Sequence, residues 1–251
     1  MRTPGPPRVT RLPDAHAAAR ALADRITSML ATNPRLVMGL PTGRTPVGFY
    51  HELASRVEQG TADLSQATTF NLDEFVGIPA GHAGSFRSFM NAHLFSRVNL
   101  SPDRIHFLDG AAADTAEECA RYEREIARSG GIDVVILGVG TNGHIGFNEP
   151  AGALQARTHR VTIEPETRFA NADLFGGDPS AVPAEALSMG IATILQARAI
   201  VLIATGGAKA SIVERLLHGP VTPALPGSFL QVHPDVEIVL DEAAAAGLTV
   251  S

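Results

Sequence analysis

Short runs dominated by apolar residues alternate with longer stretches in which apolar residues recur at helical spacing. Runs of strand length occupy 35–40 (RLVMGL), 67–72 (ATTFNL), 104–108 (RIHFL), 133–140 (DVVILGVG), 160–163 (RVTI), 199–205 (AIVLIAT) and 235–241 (DVEIVLD). Helices are predicted over 14–30, opening on Asp14, and over 45–60, 85–98, 115–131, 183–197 and 208–219, with a short one after the last strand. Glycines such as Gly60 and Gly219 stand where helices stop. Strands without a polar face, separated by helices, imply a mainly parallel sheet buried on both sides. The expected fold is therefore an α/β doubly wound sheet with helices on both faces. Nothing resembles a repeat or a linker, 174–183 is the loosest segment, and one domain over 1–251 is expected.

Bulk composition narrows the partners. A net charge of -6 argues against nucleic acid or an anionic membrane as the main partner. A single cysteine, Cys119, excludes a disulfide framework and fits a reducing cytoplasm. The start lacks the apolar core of a signal peptide, and no apolar run approaches the roughly 18 residues of a membrane helix. A cytoplasmic protein is expected. Of 20 Lys+Arg residues only Lys209 is lysine, so a compact ammonium is a candidate requirement at that position, chance survival being the plainer explanation.

In doubly wound sheets ligands sit at the carboxyl ends of the strands, here the exits after Leu40, Leu72, Gly138 and Thr205. The first exit, GLPTGRTP, sets Pro41, Thr42, Gly43 and Arg44 before Thr45, a candidate cap, and Pro46, suited to a first helical turn. It reads equally as a phosphate cradle at a helix N-terminus and as an ordinary strand–turn–helix corner. The second exit places Asp73 and Glu74 directly after a strand, where a partly desolvated carboxylate can act as a base; a solvated acidic loop is the commoner case. The third crowds Asn142, His144, Asn148 and Glu149 into a glycine-bent loop, and a His beside a carboxylate moves protons near neutral pH. A divalent ion held by His144, Glu149 and Asp73 is the weaker alternative, because no HExxH or paired-His spacing is present. The fourth, ATGGAKAS, offers a second anion turn with Lys209 attached. Together the exits suggest a small phosphorylated substrate and proton-transfer chemistry. Without a Ser-His-Asp elbow or a GxGxxG fingerprint, nucleophilic hydrolysis and dinucleotide binding are disfavoured.

The segments GLPTGRTP, TFNLDEFVG, SFRSFM, GVGTNGHIGFNEP, ETRFAN, ALSMGIATIL and LQVHP, in this order from about Met38 to Glu242, resemble the glucosamine-6-phosphate deaminases. The resemblance implies a Rossmann-like fold with a small lid. It also implies conversion of glucosamine 6-phosphate and water to fructose 6-phosphate and ammonia through ring opening and an enolamine. By resemblance Asp73 is the base between carbons 2 and 1, His144 helps open the pyranose, and Glu149 supports it. The Thr42–Gly43 turn, Arg168 and Lys209 would hold the phosphate, with no metal or organic cofactor implied. The only partner implied is a small amino sugar phosphate, with a homo-oligomer possible.

Four features depart from the family's pattern. Asn142 replaces an Asp that orients the His, and an amide cannot stabilise an imidazolium as a carboxylate does. Phe86 replaces a lid tyrosine, and Arg44 replaces a small residue of the phosphate turn. Gly152, Ala153, His159 and Val161 stand where regulated members carry serines and basic residues, so activation by N-acetylglucosamine 6-phosphate is not expected. The alternatives weighed are a deaminase for another amino sugar phosphate such as the galactosamine epimer, a 6-phosphogluconolactonase, and a non-catalytic sugar-phosphate sensor. The His loop TNGHIGFNEP differs from the lactonases' GxDGHxASLFP. About thirty residues, mostly one helix, before the first expected strand would not supply a helix-turn-helix unit.

Overall fold

The computed structural model describes residues 5–248. In chain order the strands are β1 (Arg8–Leu12), β2 (Val37–Leu40), β3 (Thr68–Asn71), β4 (Asp73–Phe75), β5 (Ile105–His106), β6 (Val134–Leu137), β7 (His159–Thr162), β8 (Glu185–Ser188), β9 (Ala199–Ala204) and β10 (Val236–Asp241). The helices are α1 (Ala15–Thr32), α2 (Val47–Glu58), α3 (Phe86–His93), α4 (Thr115–Arg128), α5 (Pro165–Asn171), α6 (Ile191–Leu195) and α7 (Ala210–His218).

Seven strands form one sheet in the order β1-β10-β9-β6-β2-β3-β5, and every pairing in it is parallel. Because side chains alternate across a strand, Val134 and Ile136 of β6 join Met38, Leu40, Val201 and Ile203 against α1 and α2. Val135 and Leu137 join Phe70, Ile200 and Leu202 on the opposite face, with Tyr122 of α4 and Val213 of α7. Both faces are dry, which is why the runs read as continuously apolar. From β2 the chain winds outward through β3 to β5, returns to β6 on the other side of β2, and winds outward again through β9 and β10. The reversal falls between β2 and β6. The first and third exits therefore leave the sheet side by side at the point where such folds bind ligands.

A second, antiparallel sheet of order β4-β8-β7 grows from the carboxyl end of β3, with Leu72 alone between β3 and β4. Its own small core contains Phe75, Phe86, Phe147, Ile163, Ala172, Val182 and Ala186. This layer changes several expectations. Asp73–Phe75 is a strand rather than loop, paired with β8. The helix expected over 183–197 is split: β8 takes 185–188, and only Ile191–Leu195 is helical. A methyl group on Gly190, at the break, would lie 2.2 Å from Arg157 O, so close main-chain packing there overrides local helix preference.

Other differences lie at edges and ends. β1, RVTRL, has no buried residue, so it lacked the apolar signature of the inner strands, and a strand precedes α1. The helix expected to Val98 ends at His93 and continues as a 3-10 turn over Phe95–Arg97. β5 is shorter than its apolar run. After Asp241 the chain makes turns over 242–248 instead of a helix, and 249–251 lie outside the described residues. No helix among the described residues is long and apolar enough to cross a membrane.

Candidate active site

The third exit folds on itself immediately after β6. Gly143 takes φ +92° and donates its N–H to Gly140 O at 3.0 Å, while Gly140 donates to His144 O at 3.0 Å. The His144 imidazole lies directly over Gly140, where an added methyl group would come within 2.4 Å of Cε1. Asn142 works with both ends of its amide. Its Oδ1 accepts the His144 N–H at 3.1 Å, and its Nδ2 donates to Glu149 Oε2 at 2.7 Å. The other Glu149 oxygen accepts from the Thr167 hydroxyl at 2.6 Å. His144 Nδ1 is 3.3 Å from Glu149 Oε2, beside it but out of line for a hydrogen bond. Burial pushes the Glu149 carboxyl up, but the imidazole, the Thr167 hydroxyl and the Asn142 amide outweigh it and hold the carboxyl below its ordinary range. Asn148, the fourth polar residue of the loop, donates instead to Ile145 O and Met189 O and belongs to the scaffold.

β8 sews this loop to the second exit. Phe147 N–H donates to Ser188 Oγ at 3.0 Å, Ser188 is in register with Asp73, and Met189 N–H donates to Leu72 O at 2.8 Å. The result brings Asp73 against the His loop: a methyl group on Gly146 would lie 3.6 Å from Asp73 Oδ2. Asp73 is 6% exposed, and no donor reaches its carboxyl among the described residues. Burial, with the charge of Glu74 added, raises its pKa to about 8. Glu74 points elsewhere, as alternation along β4 requires. It accepts the N–H groups of Phe75, Phe86 and Arg87 at 2.9, 2.9 and 3.0 Å and so caps α3. The acidic pair of the sequence is thus one free carboxyl and one helix anchor.

The other candidates surround these. At the first exit no N–H of Thr42, Gly43, Arg44 or Thr45 is taken by a hydrogen bond among the described residues, and Gly43 has φ +102°. Thr45 does not cap: α2 starts at Val47, with Pro46 at the cap position and no side-chain bond there. Pro41 O accepts the buried Tyr50 hydroxyl, which pins the start of the turn. Arg44 pairs with Asp173, both largely exposed. Arg168 of α5 donates to Val182 O at 2.8 and 3.1 Å and to Ser180 O at 3.1 Å. Lys209 is half-buried. Its pKa is lowered by burial, with the carboxylate of Glu166 opposing, and Glu166 accepts the Thr141 hydroxyl at 2.7 Å. These contacts draw α5 and the 3-10 turn Ala172–Phe175 across the mouths of the first and third exits as a small lid.

Sequence reading missed three contributors. Thr167 stands in the ETRFAN segment beside Arg168, and only its neighbour carried an obvious charge signal. Ser188 lay in the stretch read as helix. Asp241 at the end of β10 accepts Gly206 N–H on both oxygens at 3.0 Å and shapes the turn before Lys209, a long-range contact without a local pattern. Phe86 is buried and stacks on Phe147 at 5.8 Å, so it presents an apolar wall where a tyrosine would bring a hydroxyl. Among the described residues no group of three or more His, Cys, Asp or Glu is arranged to hold a metal ion. A groove of about 690 Å³ between α4 and residues 157–160 shares no residue with this site.

Residues 13–238 match the family model described as glucosamine-6-phosphate isomerases/6-phosphogluconolactonase. The chain is 48% identical to a glucosamine-6-phosphate deaminase of Rhodopirellula baltica, over 94% of this chain and 93% of that one. It is 44% identical to the glucosamine-6-phosphate deaminase of Beutenbergia cavernae, over 96% and 92% of the two chains. A solved structure of a monomeric glucosamine-6-phosphate deaminase superposes with a TM-score of 0.92 at 36% identity, covering 96% of this chain and 99% of that one.

Proposed function

This chain belongs to the family of glucosamine-6-phosphate isomerases and 6-phosphogluconolactonases, and from that membership we infer a deaminating isomerase that converts glucosamine 6-phosphate and water to fructose 6-phosphate and ammonia. The observation that carries the assignment of roles is the meeting of Asp73 with the His loop at Gly146.

The steps follow from the groups present. The phosphate dianion binds at the Thr42–Gly43 turn, whose N–H groups are uncommitted, with Lys209 and Arg168 supplying charge. Arg44, Pro41 and Thr45 shape that turn. Ring opening moves a proton from the anomeric hydroxyl to the ring oxygen. His144 shuttles it, while Glu149, kept ionised by its donors, stabilises the imidazolium formed on the way. Asp73 then takes the carbon-2 proton and returns it to carbon 1 through an enolamine, and water displaces the nitrogen as ammonia. A carboxyl with a pKa of about 8 is a strong base once ionised. A substrate that arrives as an ammonium brings beside it the positive charge that favours ionisation. Each positioned acid–base step contributes about a hundred- to ten-thousand-fold.

The same reading takes the chain as one α/β unit working in the cytoplasm on a small molecule. A monomer is supported by the monomeric structural relative. The galactosamine epimer is the second reading, supported by Arg44 at the phosphate turn and the apolar Phe86 wall. Ammonia release from glucosamine 6-phosphate, galactosamine 6-phosphate and their N-acetyl forms, measured in parallel, tests both. The glucosamine compound is expected to be turned over best and the N-acetyl forms not at all. No ammonia from glucosamine 6-phosphate would refute the assignment, and ammonia from galactosamine 6-phosphate alone would establish the second reading in its place.

A further inference from the structure

We propose that Thr167 is a positioning residue of the proton shuttle. Its hydroxyl fixes the Glu149 carboxylate so that Oε2, and not Oε1, faces His144, and it ties that carboxylate to the lid. The inference rests on the deaminase reading above and adds a residue outside the His loop to it.

Glu149 is 7% exposed, so both of its oxygens need donors from the protein. Oε2 receives Asn142 Nδ2 at 2.7 Å and has His144 Nδ1 3.3 Å away. The donor to Oε1 is the Thr167 hydroxyl at 2.6 Å, a short bond of the kind made to an ionised acceptor. Asn142 and His144 sit on the same loop as Glu149 and move with it. Thr167 comes from α5, where it is 3% exposed, and nothing in the loop replaces it. Loss of the hydroxyl leaves Oε1 buried without a donor. The carboxyl must then hold its proton longer or turn, and in either case its charge is no longer presented to Nδ1.

The neighbours of Thr167 give this contact a further consequence. Glu166 bonds the Thr141 hydroxyl and faces Lys209, while Arg168 grips the main chain at Ser180 and Val182. Three consecutive residues of one helical turn thus reach the Thr141 hydroxyl of the His loop, the Glu149 carboxylate and the main chain at Ser180 and Val182. Seating of α5 and correct orientation of Glu149 are one event.

The test compares Thr167→Ser with Thr167→Ala, which lose the same methyl group and differ only in the hydroxyl. Thr167→Val repeats it with the side-chain shape kept, should the alanine variant fold poorly. The serine variant is expected to keep kcat within about threefold of wild type. The alanine and valine variants are expected to lose about 10- to 100-fold in kcat with KM little changed, and to move the acid limb of the kcat profile to higher pH. Independently of turnover, the Glu149 carboxyl followed by 13C NMR should titrate at higher pH in the alanine variant and not in the serine variant. Equal kcat in the serine and alanine variants, or an unmoved Glu149 titration, would overturn the proposal. A wild type that releases no ammonia would refute the deaminase reading alone, because the NMR comparison still reads the hydroxyl.

Discussion

Replacing Asp73 by Asn removes one ionisable group and hardly alters shape, so it separates what the carboxyl does for catalysis from what it does to stability. In the folded chain its pKa stands at about 8 against an ordinary value of 3.8, because burial disfavours the charge and Glu74 adds to the effect. The sign follows from proton linkage. Below about pH 4 the carboxyl is neutral in both folded and unfolded chains and weighs on neither. Between there and pH 8 the unfolded chain releases the proton and the folded chain retains it, so folding stability falls as pH rises. About four pH units at 1.4 kcal/mol each is on the order of 6 kcal/mol by pH 8. An amide removes that penalty but brings a donor group into a site without a partner, at about 1–3 kcal/mol. Asp73→Asn should therefore be more stable than wild type by roughly 3 kcal/mol at pH 8, or about 6–12 °C in Tm for a chain of this size. The gain should vanish near about pH 6 and give way to a loss of about 1–3 kcal/mol near pH 4, where only the cost of the unpartnered amide remains. Turnover should drop at least about a thousandfold, while phosphate affinity stays within a few-fold. Thermal melts at pH 4, 6 and 8, with ammonia release measured on the same preparations, check both halves. A stability difference that does not vary with pH would refute the burial argument, and near-normal turnover would remove Asp73 from the role of base.

Three further outcomes are expected. Lys209→Ala should raise KM about 10- to 100-fold with a smaller change in kcat, since an ammonium on the phosphate binds ground and transition states alike; an effect confined to kcat would reassign it. Gly140→Ala should lower kcat by more than about tenfold, because the methyl group falls 2.4 Å from the imidazole and must push it off Glu149; a crystal structure of the variant with His144 unmoved would contradict this. N-acetylglucosamine 6-phosphate should leave the rate unchanged across a substrate titration, given Gly152, Ala153, His159 and Val161 in the segment that carries serines and basic residues in regulated members; clear stimulation would show another effector site.

The central sheet was legible because each of its inner strands is buried on both faces, which leaves one unambiguous pattern: VVIL at β6 and AIVLIA at β9. The exits were legible for a related reason, since parallel strands deliver the polar residues that follow them to one edge of the sheet, although Glu74 and Asn148 serve the scaffold there. What escaped depended on partners distant in sequence. The strand character of β8 comes from pairing with β4 and β7, and ALSM followed by an amphipathic stretch looks helical without them. β1 is an edge strand with Arg8, Thr10 and Arg11 among its five residues, so it carries no continuous apolar run. Asp73 and Glu74 are indistinguishable as letters, and only the alternation along β4 sends one to the site and the other to cap α3. Thr167 and Asp241 act on the site through hydrogen bonds to one distant residue each, for which a sequence offers no periodicity.

Asn142 shows how far a reading by residue type can mislead even when the position is right. Taken alone, an amide in place of a carboxylate looks like a loss, because it cannot stabilise an imidazolium. The geometry puts the charge elsewhere. Glu149 is the carboxylate beside His144, and Asn142 touches the main chain of His144 rather than its ring. Its Nδ2 lies 2.7 Å from Glu149 Oε2. A carboxylate at 142 in this conformation would keep the first contact and bring two acidic oxygens together in the second, where both cannot be ionised at neutral pH. One of them would hold a proton or turn away, and Glu149 would no longer be dependably charged. The amide accepts with one end and donates with the other, so the loop keeps its shape and Glu149 keeps its charge. In this chain Asn142 and Thr167 each donate to one oxygen of Glu149, and under the proposed mechanism His144 would depend on both through it.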